Sequence, residues 1–279
     1  NGFYTQTGTQ IKSLLMMSRY TLGKAYFGNM GQYSIGSLKE AIETRVTGFT
    51  SEQTAMIRDT HISTTTYNDG SAQQNDGGTS GLTLQFFPLG GGHPTDSASQ
   101  PIDSFSVQRY FPGTENFDTA RIAYSITDKN TASDWWLRSG HFMNNSYDAA
   151  KYINVAGRVD TMPASMMSCG VRPCFVLNTT GFNGDVTLNN ETFTFHQYKS
   201  SAVSPTANGT DYYLYYTNGG TYSGNSIEWV VLGGCVSSSY TDDEKEILFL
   251  NSNYEIDWYA DENGFYTQTG TQIKSLLMM

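Results

Sequence analysis

Residues 1–17, NGFYTQTGTQIKSLLMM, recur unchanged at 263–279. Chance does not produce an identity of that length, so the chain has a period of 262 residues and an overlap of 17. Two readings stay open: a duplication made by design, and a window cut from a tandem array of near-identical repeats. A start at Asn1, with neither an initiator Met nor a secretory leader, is what a window from inside a longer protein would show.

Composition narrows the partners. Sixteen basic residues face 26 acidic ones, a net charge of −10, which repels phosphate polyanions and argues against nucleic acid as a partner. Aromatics reach 14%, with 19 Tyr, too many for a disordered chain. No apolar run reaches the ~18 residues of a membrane span. Low charge with abundant Tyr, Thr and Asn suits an extracellular, cell-surface scaffold.

Along the chain, SIEWVVLGG (226–234) reads as a buried strand and EILFLN (246–251) as its hairpin partner. In the duplicated segment Ile11, Leu14, Leu15 and Tyr20 recur at roughly helical spacing, which predicts an amphipathic helix over 10–20. A second helix is expected at 36–47, with Ser37 as N-cap and Glu40 completing a capping box. A third follows Thr50 or Ser51 over SEQTAMIRDT. Residues 61–106 are rich in Gly, Asn, Asp, Ser and Thr, a long surface loop in which LTLQFFPL (82–89) is the one strand. ASDWWLRSG (132–140) comes next, then a hairpin turning at Ala156-Gly157, and a strand in CGVRPCFVLN (169–178). Short alternating strands separated by NGT and NGG turns fill 181–225, a small β-rich spacer.

The ordered set IEWVVL, EILFLN, a helix, TSEQTAMI, DWWLRSG and CGVRPCFVLN resembles a domain of unknown function from bacterial surface proteins. Its WWLRS and GVRP elements, about 30 residues apart, carry the resemblance. The resemblance implies an α+β, C-type-lectin-like fold shared with formylglycine-generating enzymes. It covers 226–262 joined to 1–180 and omits 181–225. The domain is therefore circularly out of phase: 1–180 hold its bulk, 181–225 the spacer, and 226–279 the first strands and helix of the next repeat's domain. On this reading residues 226–279 complete the next module along a polymer of head-to-tail copies.

The signature residues also read physically. Trp135 and Trp136, adjacent on a strand, point to opposite faces. Arg138 and Arg172 are expected to be structural, their guanidinium forks satisfying loop carbonyls or a carboxylate. The superfold places the segment between the two signatures on the ligand-facing surface, which implies a binding set of His141, Asn144, Asn145, Tyr147, Tyr152 and Asn154. Tyr and Asn are side chains that adaptable binding surfaces favour and also ordinary exposed loop residues. With the 61–106 loop, this surface is the alternative function: a lectin-like module recognising a glycan or protein.

Catalytic and metal motifs are missing from the sequence. There is no GxSxG and no SxxK, and His61, His93, His141 and His196 have no helical-spacing partner. The lectin-like resemblance leaves calcium open, but no DxDxDG loop supports it, and Gly90-Gly91-Gly92 follows no phosphate-binding pattern, so no cofactor with a motif and no enzyme activity are expected. Cys169 and Cys174 resemble the catalytic pair of formylglycine-generating enzymes in spacing but flank the GVRP strand, at the wrong place in the domain. The resemblance implies that first and last strands lie side by side, and with it a disulfide from Cys235 to Cys169 or Cys174. The expected function is a structural repeat module of a bacterial surface fibre or giant adhesin.

Overall fold

The computed structural model describes residues 12–28, 31–63, 81–91, 104–111, 121–143, 146–165, 167–180 and 219–235. It also describes strand backbone at 65–68, 72–75, 187–188, 191–192, 195–200, 211–216, 247–248, 258–261 and 264–267. Two compact units emerge: Asn1–Ser18, Gly48–Arg58 and Phe175–Met279 form the first, Arg19–Thr47 and Asp59–Cys174 the second.

The first unit is built on a seven-stranded sheet. Its order is Phe195–Ser200, Asp211–Tyr216, Trp229–Cys235, Ser13–Ser18, Cys174–Asn178 and Ile57–Arg58, with Ile247–Leu248 also paired to Trp229–Cys235. The expected hairpin of 226–234 with 246–251 therefore forms, over Gly233↔Leu248 and Gly234↔Ile247. Ser13–Ser18 pairs antiparallel with Trp229–Cys235, Ser13 facing Cys235 and Ser18 facing Trp229. Leu15 faces Gly233 but Met16 faces Val231, so Leu232 is a bulge residue. Phe49, Phe175 and Trp229 cluster beneath, with centroids 4.7 to 6.1 Å apart. The Trp229 indole donates to Gly219 O at 2.6 Å.

The helix expected over 10–20 is thus a strand. All six residues of Ser13–Ser18 are buried. A run of six apolar and small residues flanked on both sides fills both faces of a central strand, and it is too short to fill a helix stripe. The first strand of the segment assigned to the next repeat, Trp229–Cys235, completes this chain's own sheet.

The second unit carries a five-stranded sheet in the order Val159–Pro163, Ser146–Ile153, Trp135–Met143, Ser168–Gly170, Lys24–Tyr26. The hairpin at Ala156-Gly157 forms as its sequence predicts. Asn154 Oδ1 accepts from Ala156 N and Arg158 N, and Gly157 takes φ +82°.

Helix is confined, among the described residues, to Ser37–Arg45, Ser51–Met56 and the single turn Val107–Tyr110. The first begins at a Gly36 N-cap with no side-chain bond, so the Ser37–Glu40 capping box does not form. The second has its expected cap: Thr50 accepts from Gln53 N, and the Gln53 side chain accepts from Thr50 N. The α+β, C-type-lectin-like expectation is accordingly corrected to a β-rich fold of two main sheets and several two-stranded ribbons. The apolar run at 13–18 and the aromatic-bearing pieces at 195–200 and 211–216 went into sheet. No helix among the described residues is long and apolar enough to cross a membrane.

Candidate functional site

The double tryptophan opens the central strand of the second unit, where alternation sends the two rings apart. Trp135 donates its indole N–H to Arg121 O at 2.8 Å and lies under the Arg172 guanidinium, 4.8 Å from the ring centre. Trp136 donates to Ala25 O at 2.7 Å and packs edge-on against Phe27 and Tyr152. Both rings are fully buried. Arg172 also donates to Arg19 O at 3.3 Å.

Past Trp136 the strand bulges. Trp136 faces Tyr152 and Gly140 faces Ala150, so Leu137, Arg138 and Ser139 oppose Lys151 alone. The released backbone pairs with the glycine loop instead: Arg138 N donates to Leu89 O, and Gly91 N donates to Ser139 Oγ at 2.6 Å. Gly91 is fixed by contact. A Cβ there would lie 2.9 Å from Leu137 Cδ1 and 3.1 Å from Lys151 Cβ. The Gly90-Gly91 loop is therefore a packing element.

Arg138 is completely buried. One arm of its guanidinium donates to Pro88 O at 2.8 Å, the other to Ser63 O at 2.9 Å, Ser104 Oγ at 3.1 Å and Ser104 O. Ser63 and Ser104 also bond each other, Ser63 N to Ser104 Oγ at 2.8 Å and Ser104 N to Ser63 O at 3.2 Å. These two serines bracket the long Gly-, Asn- and Ser-rich excursion. Arg138 closes its neck. Because its donors are spoken for by carbonyls, the guanidinium organises loops and presents no free fork to a ligand.

The residues expected to bind a ligand scatter. Asn144 and Asn145 lie outside the described residues, as does the side chain of Tyr147. His141 is half-buried on the central strand, facing Ala149. Tyr152 packs on Trp136, and burial, followed by the charges of Asp160 and Asp134, pushes its hydroxyl up to about 12. Asn154 is consumed in its turn. Asp134 likewise serves the hairpin, its Oδ1 accepting from Val155 N at 2.8 Å.

All three cysteines are buried free thiols, which corrects the expected Cys235 disulfide. The strand Ser13–Ser18 lies between the strand ending in Cys235 and the one beginning at Cys174. Two strand spacings separate these by about 10 Å, beyond the reach of a disulfide. Cys169 points its thiol at Met162 Sδ, 3.6 Å away. Burial pushes both Cys169 and Cys174 up to about 12, so neither is a ready nucleophile.

Among the described residues no three His, Cys, Asp or Glu side chains gather where a metal ion could sit. Sequence reasoning found Trp135, Trp136, Arg138 and Arg172 but missed Ser63, Ser104, Ser139, Gly91, Arg121 and Lys151. Ser139 ends the WWLRS element and Gly91 sits in the glycine run, but no motif reveals their partnership or that of the two serines, since spacings of 41 and 48 residues join Ser63 to Ser104 and Gly91 to Ser139.

No curated protein and no solved structure is detectably similar to this chain. Its signature residues nevertheless fall inside a recognised segment: residues 43–179 hold a domain of unknown function (DUF6273).

Proposed function

We propose that this chain is a structural repeat module of an extracellular bacterial surface fibre, with repeats joined head to tail. The observation that carries the reading is the unbroken identity of 1–17 with 263–279 at a period of 262 residues. Such identity is the mark of an array whose units contact their neighbours in series. The acidic, aromatic, weakly charged composition supports a solvent-facing scaffold outside the cell. The signature arginine supports it too: Arg138 holds loop carbonyls, the work of a scaffold.

The test is long-read sequencing of the gene together with sizing of the native protein. Further copies of the 262-residue unit, and a native mass of several units, are expected. A gene encoding a single period overturns the proposal.

A further inference from the structure

The slot that holds Ser13–Ser18 is specified by what surrounds it. The strand is buried along its whole length and lies between Trp229–Cys235 and Cys174–Asn178. Lys12 extends it by one residue: its N–H donates to Cys235 O, and its carbonyl accepts from Thr179 N, each at 2.8 Å. Residues 274–279, KSLLMM, carry the same side chains in the same order as 12–17. One slot has two identical claimants.

We propose that in the tandem array the downstream claimant wins: the slot beside Trp229–Cys235 is filled by the first strand of the following repeat. Each joint between repeats is then a shared strand. This rests on the array reading above and names the surface through which neighbouring repeats hold one another.

Chain statistics favour the downstream copy. About 40 residues separate Cys235 from Ser275, against about 210 between Ser18 and Trp229, and closing the shorter loop is favoured about tenfold. Short-range pairing also forms first. The second copy is moreover anchored near the sheet. Gly264–Thr267, the counterpart of residues 2–5, forms a hairpin with Trp258–Asp261, which lies against the Phe195–Ser200 strand. From that strand to the slot is three strand spacings, about 14 Å, and residues 268–274 can span roughly 24 Å when extended.

The register supplies the test. Ser13 faces Cys235, and directly opposed antiparallel residues sit within disulfide reach. Ser275 is the second-copy counterpart of Ser13. The full chain carrying both Ser13→Cys and Ser275→Cys is oxidised and its disulfides mapped by peptide mass analysis. Links from Cys235 to position 275 should exceed links to position 13 about tenfold, within one chain. Links to position 13 alone, links between chains, or no link at all overturn the proposal.

A second arm needs no cysteine chemistry. Leu15→Asp should leave the chain folded, because the second copy holds the slot, whereas Leu15→Asp with Leu277→Asp should unfold it. Unfolding by Leu15→Asp alone overturns the exchange. Neither result bears on gene copy number, so failure here leaves the array reading to its own test.

Discussion

The two main sheets each turn on a strand that begins with a buried tryptophan and carries a bulge, yet the bulges are stabilised in opposite ways. In Trp229–Cys235 the extra residue is Leu232, fully buried in an apolar core. In Trp135–Met143 the extra residues include Arg138 and Ser139, whose polar atoms are matched one by one to carbonyls and amides of distant loops. Apolar packing asks for volume and tolerates substitution among similar shapes. A buried guanidinium asks for particular acceptors, and losing the match strands every partner. The first sheet can accept a replacement strand of the same sequence; the second is locked to the loops it gathers.

The largest effect should come from the locked side. Arg138→Met removes the guanidinium donor from the carbonyls of Pro88, Ser63 and Ser104 in a buried site and should cost roughly 4–5 kcal/mol. Arg138→Lys keeps the charge but cannot fork, and should cost about 2 kcal/mol. Urea denaturation at neutral pH measures both. If Arg138→Met is silent, the distinction between the sheets collapses.

On the tolerant side, truncation should hurt while exchange should not. Trp229→Ala removes the ring that Phe49 and Phe175 pack against, and the bond to Gly219, for roughly 3–4 kcal/mol. Leu177→Met, a swap of similar volume in the neighbouring strand, should stay under about 1.5 kcal/mol by the same measurement. A Leu177→Met cost as large as that of Arg138→Lys would remove the contrast.

The same contrast explains what could be read from the amino acids alone. Trp229–Cys235 and Cys174–Asn178 announce themselves by apolar runs that include valine, and Thr50 with Gln53 announces its cap, because each signal is local. The strand at 13–18 was not readable, since LLMM with Ile11 and Tyr20 fits a helix stripe as well as a central strand. Only Trp229–Cys235 and Cys174–Asn178 on either side decide between them. The disulfide expectation failed for a related reason: strand order places Ser13–Ser18 between the cysteine-bearing strands, and no spacing rule reveals it. At the candidate site the arginine's duty to loop carbonyls was readable from its chemistry, but not which loops. Ser63, Pro88 and Ser104 are chosen by the fold.

Gly91 sharpens the comparison at the loop that fills the polar bulge. Gly91→Ala forces a methyl against Leu137 Cδ1 and the Lys151 stem, and should cost roughly 2 kcal/mol in thermal or urea unfolding. A neutral result would mean the glycine loop yields as readily as the apolar bulge.

Alkaline pH probes the buried thiols beside both sheets. Cys169 and Cys174 keep their protons to about 12 when folded, whereas an unfolded thiol releases its proton near 9. The unfolded state therefore binds fewer protons above pH 9, and stability, whole below that pH, falls as pH rises toward 12. At pH 10 each thiol should cost about 1.4 kcal/mol relative to pH 8. Cys174→Ala should flatten its share of the slope in urea titrations taken at both pH values.

The smallest effect belongs to the cap that joins neither network. Thr50 accepts from Gln53 N at 3.2 Å while Gln53 Oε1 accepts from Thr50 N at 2.9 Å, two amides of a six-residue helix satisfied reciprocally. Thr50→Ala removes one acceptor at a solvent-accessible helix end, where water replaces part of the loss, so about 1 kcal/mol is expected. Thr50→Ser keeps the hydroxyl and should be nearly neutral. Because the helix lies in the first unit, ahead of the short Ile57–Arg58 edge strand, its loss should fray that edge without loosening the Arg138 neck. Hydrogen exchange on Thr50→Ala would show faster exchange at 51–58 with unchanged protection at Arg138 N. Equal acceleration at both places would mean that the two regions unfold as one and that their different chemistry does not divide their stability.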